Sequence, residues 1–246
     1  MELQYDGSGL HGWAKQEGFL TVEGCLEEVF ETLLGESPSL QVAGRTDAGV
    51  HARRQVVSLQ LPLGVDRQRL LASLNALTPH GIAVTQVAAA PEGFDARQDA
   101  LTRTYRYHLL LADAVSPFWK PYCWWLPRPL DLAAMREAAA LVVGRHDFTA
   151  FTPTETQHVH LRRQVLKCGW KSLRGGLVSR GGLLVFEIEA QAFLRHMVRV
   201  LVGTMVELGQ GKRSVEGFGR LLEGANRDEA GQTAPARGLF LWDIRY

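Results

Sequence analysis

The chain has 246 residues, with 27 Lys and Arg against 26 Asp and Glu and a formal net charge of +1. That length allows one large or two small domains with a core that needs no disulfide or metal. The charge balance excludes a uniformly basic nucleic-acid binder, so an RNA ligand would have to meet positive charge gathered on one face. The three cysteines, Cys25, Cys123 and Cys168, form no close pair and no metal-ligand spacing, which fits a reducing cytoplasm. No apolar run reaches the length of about 18 residues of a membrane span, and Met1 to Tyr5 does not read as a secretory leader.

In chain order, Met1–Tyr5 reads as a short strand and Thr21–Leu34 as an amphipathic helix. Val22, Cys25, Leu26, Val29, Phe30, Leu33 and Leu34 recur at helical spacing, with Thr21 to cap the start and Gly35 the end. Strands are expected at Leu40–Ala43 and Gln55–Leu61. Asp66 can cap a helix carrying Leu70, Leu71, Leu74 and Leu77, stopped by Pro79, and Ile82–Ala89 follows as a strand. Pro91–Ala100 has the composition of a loop crossing between halves. The second half begins with a strand at Leu101–Leu111 and a helix at Asp131–Val143 ended by Gly144. Strands at Val165–Leu173 and Leu183–Ala190 flank a turn with Gly175-Gly176 and Gly181-Gly182. A long helix at Ala192–Leu208, a short one at Ser214–Glu223 and a strand at Leu239–Tyr246 complete it, with Ala225–Arg237 as a polar surface loop. Each half thus has the order β-α-β-β-α-β, the ferredoxin-like arrangement. An α+β fold of two such domains is expected, residues 1–97 and 98–246, with mixed and antiparallel sheets.

The most telling stretch is Gly44-Arg45-Thr46-Asp47-Ala48-Gly49-Val50-His51-Ala52, between two strands of the first half. Its single carboxylate follows an arginine by two residues and precedes a glycine by two. An aspartate is ionised at neutral pH and suits nucleophilic attack better than proton donation. The same residue types are ordinary turn formers, and an Asx-turn at Asp47 accounts for them equally.

Further along, Tyr105 and Tyr107 share one face of a strand, with Arg103 beside them. They suit either the stacking of a base or the packing of a half-buried sheet face. Arg195 and Arg199, at i and i+4 of the long helix, share a stripe that continues into Val202, Gly203 and Val206. His160, Arg162, Arg163, Lys167 and Lys171 form a basic stretch, a phosphate-contacting edge or a plain solvated face. His146-Asp147-Phe148 fits a structural turn. The eight histidines show no metal-binding spacing.

Arg45 to His51 resembles the R-T-D-A-G-V-H signature of the tRNA pseudouridine synthase A family. Tyr5-Asp6-Gly7, Gly12-Trp13, Asn75-Ala76, Phe94-Asp95-Ala96-Arg97, Thr104-Tyr105-Arg106-Tyr107, His146-Asp147-Phe148 and Phe193-Leu194-Arg195-His196-Met197-Val198-Arg199 resemble its other blocks. The resemblance implies two α/β domains joined across a basic central cleft. It implies an isomerase that converts uridines 38, 39 and 40 of the tRNA anticodon stem-loop to pseudouridine in the cytoplasm, as a homodimer, with no cofactor and no metal. Asp47 would be the essential carboxylate, Tyr105 the active-site tyrosine, Arg199 its electrostatic partner and Arg45 the residue that assists base flipping. His51, Arg103 and Arg195 would complete the substrate-binding set, with Arg53 and Arg54 extending the basic edge. Thr104 and Ala14 stand where many members have other residues, which touches local tRNA contacts and not the chemistry. Two other readings stay open: a catalytically silent tRNA-binding protein of the same fold, and a duplicated ferredoxin-like enzyme acting on a small molecule.

Overall fold

The computed structural model describes residues 1–156, 159–173 and 182–246. Its elements are β1 (Glu2–Tyr5), α1 (Val22–Leu34), β2 (Gln41–Val42), β3 (His51–Ser58), α2 (Arg67–Leu77), β4 (Ile82–Gln86), β5 (Thr102–Leu111), β6 (Trp124–Leu126), α3 (Leu132–Leu141), β7 (Gly144–Asp147), β8 (Arg162–Leu173), β9 (Gly182–Ala190), α4 (Met197–Gly209), α5 (Val215–Leu221) and β10 (Leu239–Arg245). Helices combine with parallel and antiparallel strand pairs, an α+β structure. The chain forms two units, Met1–Arg103 with Phe240–Tyr246, and Thr104–Leu239.

In the first unit the caps act where their residue types place them. The Thr21 hydroxyl accepts from Gly24 N at 3.3 Å, and Gly35 ends α1 in the left-handed region at φ 84. Asp66 accepts from the amides of Gln68 and Arg69 at the start of α2. Each such cap contributes about 1 kcal/mol. Val22, Cys25, Leu26, Val29 and Phe30 of α1 and Leu70 and Leu74 of α2 are buried. Asn75 ties α2 to β4 through both the amide and the carbonyl of Val84. The strands run β4-β1-β3-β2 with antiparallel neighbours. This unit therefore has the element order β-α-β-β-α-β. β10 adds a parallel strand, pairing Phe240 with His51 and Leu241 with Ala52.

Several boundaries differ from the sequence expectation here, β3 ending at Ser58 and β4 at Gln86. β3 begins at His51 rather than Gln55, because two charged residues inside it are satisfied by its neighbours. Arg54 pairs with Glu2 of β1 and, at 2.9 Å, with Asp243 of β10, and Arg53 lies over the Trp242 ring at 4.9 Å. The last strand does not close the second half: from Phe240 onward it belongs to the first unit.

The second unit orders its strands β5-β9-β8-β7, with β6 parallel to β5. Of the glycine-rich turn expected between β8 and β9, Gly175, Gly176 and Gly181 lie outside the described residues, and Gly182 opens β9. α4 is buried along its length except at Arg199 and Glu207, which makes it the unit's central helix. It starts at Met197, five residues later than expected, because His196 sits at φ 61 and breaks the helical run. Arg195 is thus not on the helix, and the i, i+4 stripe with Arg199 does not form. β6 and β7 were not expected. Gly144 to Asp147 pair with β8, so His146 and Asp147 end a strand; the turn comes after them, where Asp147 accepts from the Thr149 amide at 3.0 Å. The segment expected as a polar surface loop, 225–237, is a strap along α4. Ala230 and Ala234 are buried, Gly231 N donates to Thr204 Oγ1 at 2.9 Å, and Gln232 N donates to Glu207 Oε1 at 3.1 Å.

Candidate active site

Asp47 stands at the first corner of a four-residue turn. Val50 N donates to Asp47 O at 3.1 Å, and Gly49 takes φ 76 at the third position, the geometry of a type II turn that glycine adopts without strain. The signature's glycine is therefore explained by backbone conformation. Asp47 is half-buried and Arg45 exposed, while Thr46 between them is buried.

Buried side chains hold the strand-side arm of the turn. The Gln55 amide donates to Gly44 O at 2.7 Å and to the Tyr5 hydroxyl at 3.2 Å. Tyr5 and Thr46 share a 2.7 Å hydrogen bond between their hydroxyls. Burial pushes the Tyr5 phenol up to about 12, against the pull of these two partners. The opening loop holds the turn from the other side. Trp13 N donates to Thr46 O at 3.0 Å, and Gly49 N donates to Leu10 O at 3.1 Å. Both glycines of the opening motif are required by close approach. A Cβ at Gly7 would lie 2.3 Å from Val50 O, and one at Gly12, which has φ 90, would lie 2.7 Å from Thr46 O. The Tyr5–Thr46–Gln55 network was not anticipated from sequence. Its three members, Tyr5, Thr46 and Gln55, are buried polar side chains among polar and charged neighbours, so no sequence pattern singles them out.

His51 and Arg103, expected to contact substrate, are occupied elsewhere. His51 is buried, with its ring on Phe240 at 4.5 Å, and its Nδ1 accepts from Gly7 N at 3.0 Å. The Arg103 guanidinium donates to the carbonyls of Ala43, Arg97 and Ala100 at 2.6–3.1 Å. It braces the Phe94 to Arg97 block, where Asp95 accepts from the amides of Arg97 and Gln98. A guanidinium with three backbone carbonyls fills most of its donor capacity. Both residues shape the loop's surroundings.

In the second unit, Tyr105 is buried on β5 and meets Phe193 edge-on, with ring centroids 4.9 Å apart. Tyr107 is fully buried and donates to Pro235 O at 2.7 Å. Burial raises its phenol well above the usual range, opposed by Arg199 and Arg237. Arg106 points the other way and pairs with Glu187 at 2.6 Å. Arg199 is half-buried at the start of α4. Its Nε donates to Ala234 O at 2.8 Å, and its own carbonyl accepts from Ala234 N at 3.1 Å. Arg195 is exposed, and its carbonyl accepts from the Thr152 hydroxyl at 3.1 Å. The structure thus groups Arg45, Asp47, His51 and Arg103 in the first unit and Tyr105, Arg195 and Arg199 in the second.

The basic stretch on β8 carries less free charge than its composition suggests. Lys167 pairs with Glu189 at 2.9 Å and Lys171 with Glu187 at 3.1 Å. Arg163 is half-buried and donates to the carbonyls of His160 and Arg162. Arg162 lies 3.8 Å from Asp147. Among the described residues, no group of His, Cys, Asp and Glu could hold a metal ion, and no helix is long and apolar enough to cross a membrane.

Comparison with known proteins bears on the chain as a whole. The family model for tRNA pseudouridine synthase matches residues 138–246. The tRNA pseudouridine synthase A of Geobacter sp. (strain M21) is 39% identical over 245 residues, covering 99% of this chain and 96% of that protein. That of Neisseria meningitidis serogroup B (strain ATCC BAA-335 / MC58) is 40% identical over 246 residues, covering 99% and 90%. That of Geobacillus sp. (strain WCH70) is 38% identical over 245 residues, covering 99% and 96%. Likeness over nearly the whole length of both chains defines an isomerase of the pseudouridine synthase class. The chain belongs to the tRNA pseudouridine synthase A family.

Proposed function

We propose that the protein converts uridines 38, 39 and 40 of the tRNA anticodon stem-loop to pseudouridine, with Asp47 as the reacting carboxylate. One observation carries this reading: Asp47 sits at the corner of a type II turn braced on both sides, with Arg45 exposed two residues before it. A catalytic group gains from being held in one geometry before substrate arrives.

The reaction breaks the glycosidic bond between C1′ and N1, rotates the uracil and joins C1′ to C5. The C5 hydrogen leaves as a proton and N1 takes one up, so the product is an isomer with no net oxidation or reduction. Reaching the uridine requires the base to leave its stack, at a cost of a few kcal/mol. Arg45 assists that step. Tyr105 stacks on the displaced base and handles a proton, and Arg199 provides the electrostatic partner of the carboxylate. Exposed Arg195 contacts the RNA. His51 and Arg103 act through the loop they support. The two units are read as divergent ferredoxin-like copies, and the active form as a cytoplasmic homodimer.

The test uses transcribed tRNA carrying tritium at uridine C5. Wild type is expected to release tritium, and Asp47→Asn to lose at least about 10³-fold in rate, the scale of removing a reacting group. No release with salt-sensitive tRNA binding would favour a silent binder or a different target uridine. Neither release nor binding would leave the small-molecule reading.

A further inference from the structure

His51 opens the strand that follows the Asp47 turn and is 1% exposed. Its Nδ1 has two close neighbours: Gly7 N at 3.0 Å and Asp6 Oδ1 at 3.1 Å. A ring nitrogen offers one in-plane site, either a lone pair or an N–H. A backbone amide can only donate, so the Gly7 contact needs Nδ1 unprotonated. A carboxylate can only accept, so the Asp6 contact needs Nδ1 protonated. The two bonds exclude each other, and whether Nδ1 of this one buried ring carries a proton selects between them.

The selection bears on the Asp47 turn because Gly7 is pressed against it. A Cβ on Gly7 would lie 2.3 Å from Val50 O, the carbonyl of the residue that closes the turn. From the opening loop the charged group facing the ring is Asp6, whose Oδ1 also accepts from Ser8 N at 2.9 Å. From β10 the facing residue is Phe240. On β3 itself, Arg53 and Arg54 engage Trp242 and the Glu2 and Asp243 carboxylates.

We propose that His51 is a positioning residue for pseudouridine formation: its neutral Nδ1 holds Gly7 against the turn that presents Asp47, and protonation hands the ring to Asp6 and frees Gly7. The proposal rests on Asp47 being the reacting carboxylate.

Single-turnover tritium release, measured between about pH 5 and pH 8, with tRNA affinity measured in parallel, tests it. Wild type should show a one-proton acid limb in the rate with tRNA affinity following no such limb. In His51→Asn the side-chain oxygen stands near the place of Nδ1, accepts from Gly7 at every pH and cannot be protonated. That variant should keep the neutral-pH rate within a few-fold and lose the limb. His51→Leu, which removes the acceptor, should be slower at all pH values by about 10²-fold, the scale of a misplaced reacting group. Asp6→Asn withdraws the charge that favours protonated His51, so its limb should move to lower pH. An acid limb retained in His51→Asn, a wild-type profile without one, a limb unmoved in Asp6→Asn, or an effect confined to tRNA affinity would each overturn the proposal. If the His51 variants do not fold, Asp6→Asn alone decides. Tritium release by Asp47→Asn would instead sink the reading on which it rests, so the two failures are distinguishable.

Discussion

The turn around Asp47 and the start of α4 both present proposed active-site residues, and they are held by different kinds of contact. Around Asp47 the holding groups are buried side chains and glycines: Gln55 on Gly44 O, Tyr5 on Thr46, His51 on Gly7, and Gly7 and Gly12 at close backbone approach. At α4 the holding groups are mostly backbone. Arg199 is bracketed by the amide and the carbonyl of Ala234, and the strap that supplies them lies over Gly203. A site held by side chains writes its requirements as residue types. A site held by backbone writes them as missing side chains, which are much harder to read.

The sharpest way to break this comparison is to add one methyl group at each place. Gly7→Ala places Cβ 2.3 Å from Val50 O, and Gly203→Ala places it 1.8 Å from Gln232 O. Neither backbone can give way cheaply. Gln232 is held by Glu207 and its neighbour Gly231 by Thr204, while Val50 closes the turn. Gly203→Ala should gain up to about 1 kcal/mol of helix propensity and lose more, since overpacking costs roughly 1–3 kcal/mol. Both variants should therefore unfold at lower denaturant concentration than wild type. Gly7→Ala should also lose about 10²-fold in tritium-release rate through the shifted turn. If Gly203→Ala were as stable as wild type, backbone contact would not be what anchors Arg199.

Legibility followed the same division. Helix caps at Thr21 and Asp66 were readable because a short polar side chain before an apolar repeat has one common use, and Asp131 and Ser214, expected as first helix residues, prove to be caps as well. A turn at Asp47 was readable because Gly, Asp and Thr are turn formers, but its backbone bond from Val50 N to Asp47 O and the positive φ of Gly49 come from the structure. The late start of α4 was not, since Ala192 to Arg195 are acceptable helix residues and only the left-handed His196 stops the run. The destination of β10 was not readable either: its pairing with β3 joins residues far apart in the chain, and no local pattern states which strand edge is open. In the sequence Arg103 stands beside Tyr105 and Tyr107, and His51 within the signature's basic edge; their carbonyl and amide partners emerge only in three dimensions.

A smaller effect separates the two regions by pH. Tyr5 near the turn and Tyr107 near Arg199 are both buried phenols raised above their ordinary value. A raised folded-state value means the folded protein keeps its proton when the unfolded chain releases it. Stability is therefore fully present below about pH 10, the unfolded value, and falls as pH rises. For Tyr5 the loss runs to about 12. Each tyrosine contributes a slope of about 1.4 kcal/mol per pH unit within its window. Denaturant titrations above pH 10 should show this loss, and Tyr5→Phe and Tyr107→Phe should each flatten it. An unchanged slope in either variant would mean that its phenol ionises as freely in the folded protein as in the unfolded chain.

The smallest expected effect concerns the basic strand β8, which composition makes conspicuous and geometry makes ordinary. Lys167 and Lys171 are well exposed, and each reaches back to a carboxylate on β9, Glu189 and Glu187. The Lys171–Glu187 pair contributes about 0–1 kcal/mol, because solvent screens the attraction and two flexible side chains lose freedom, whereas Glu189 is buried and depends more on its lysine. Lys171→Ala should therefore leave stability within about 1 kcal/mol of wild type, and Lys167→Ala should cost more, since it leaves the buried Glu189 without its lysine. tRNA binding gives the more informative answer. If the two ammonium groups neutralise RNA phosphates, their loss should weaken binding uniformly and lower the slope of log K against log salt by up to about 1 per lost contact. If they serve only Glu189 and Glu187, the slope should not change. An unchanged slope is the expected result, since a lysine already matched with a carboxylate brings little net charge to the RNA.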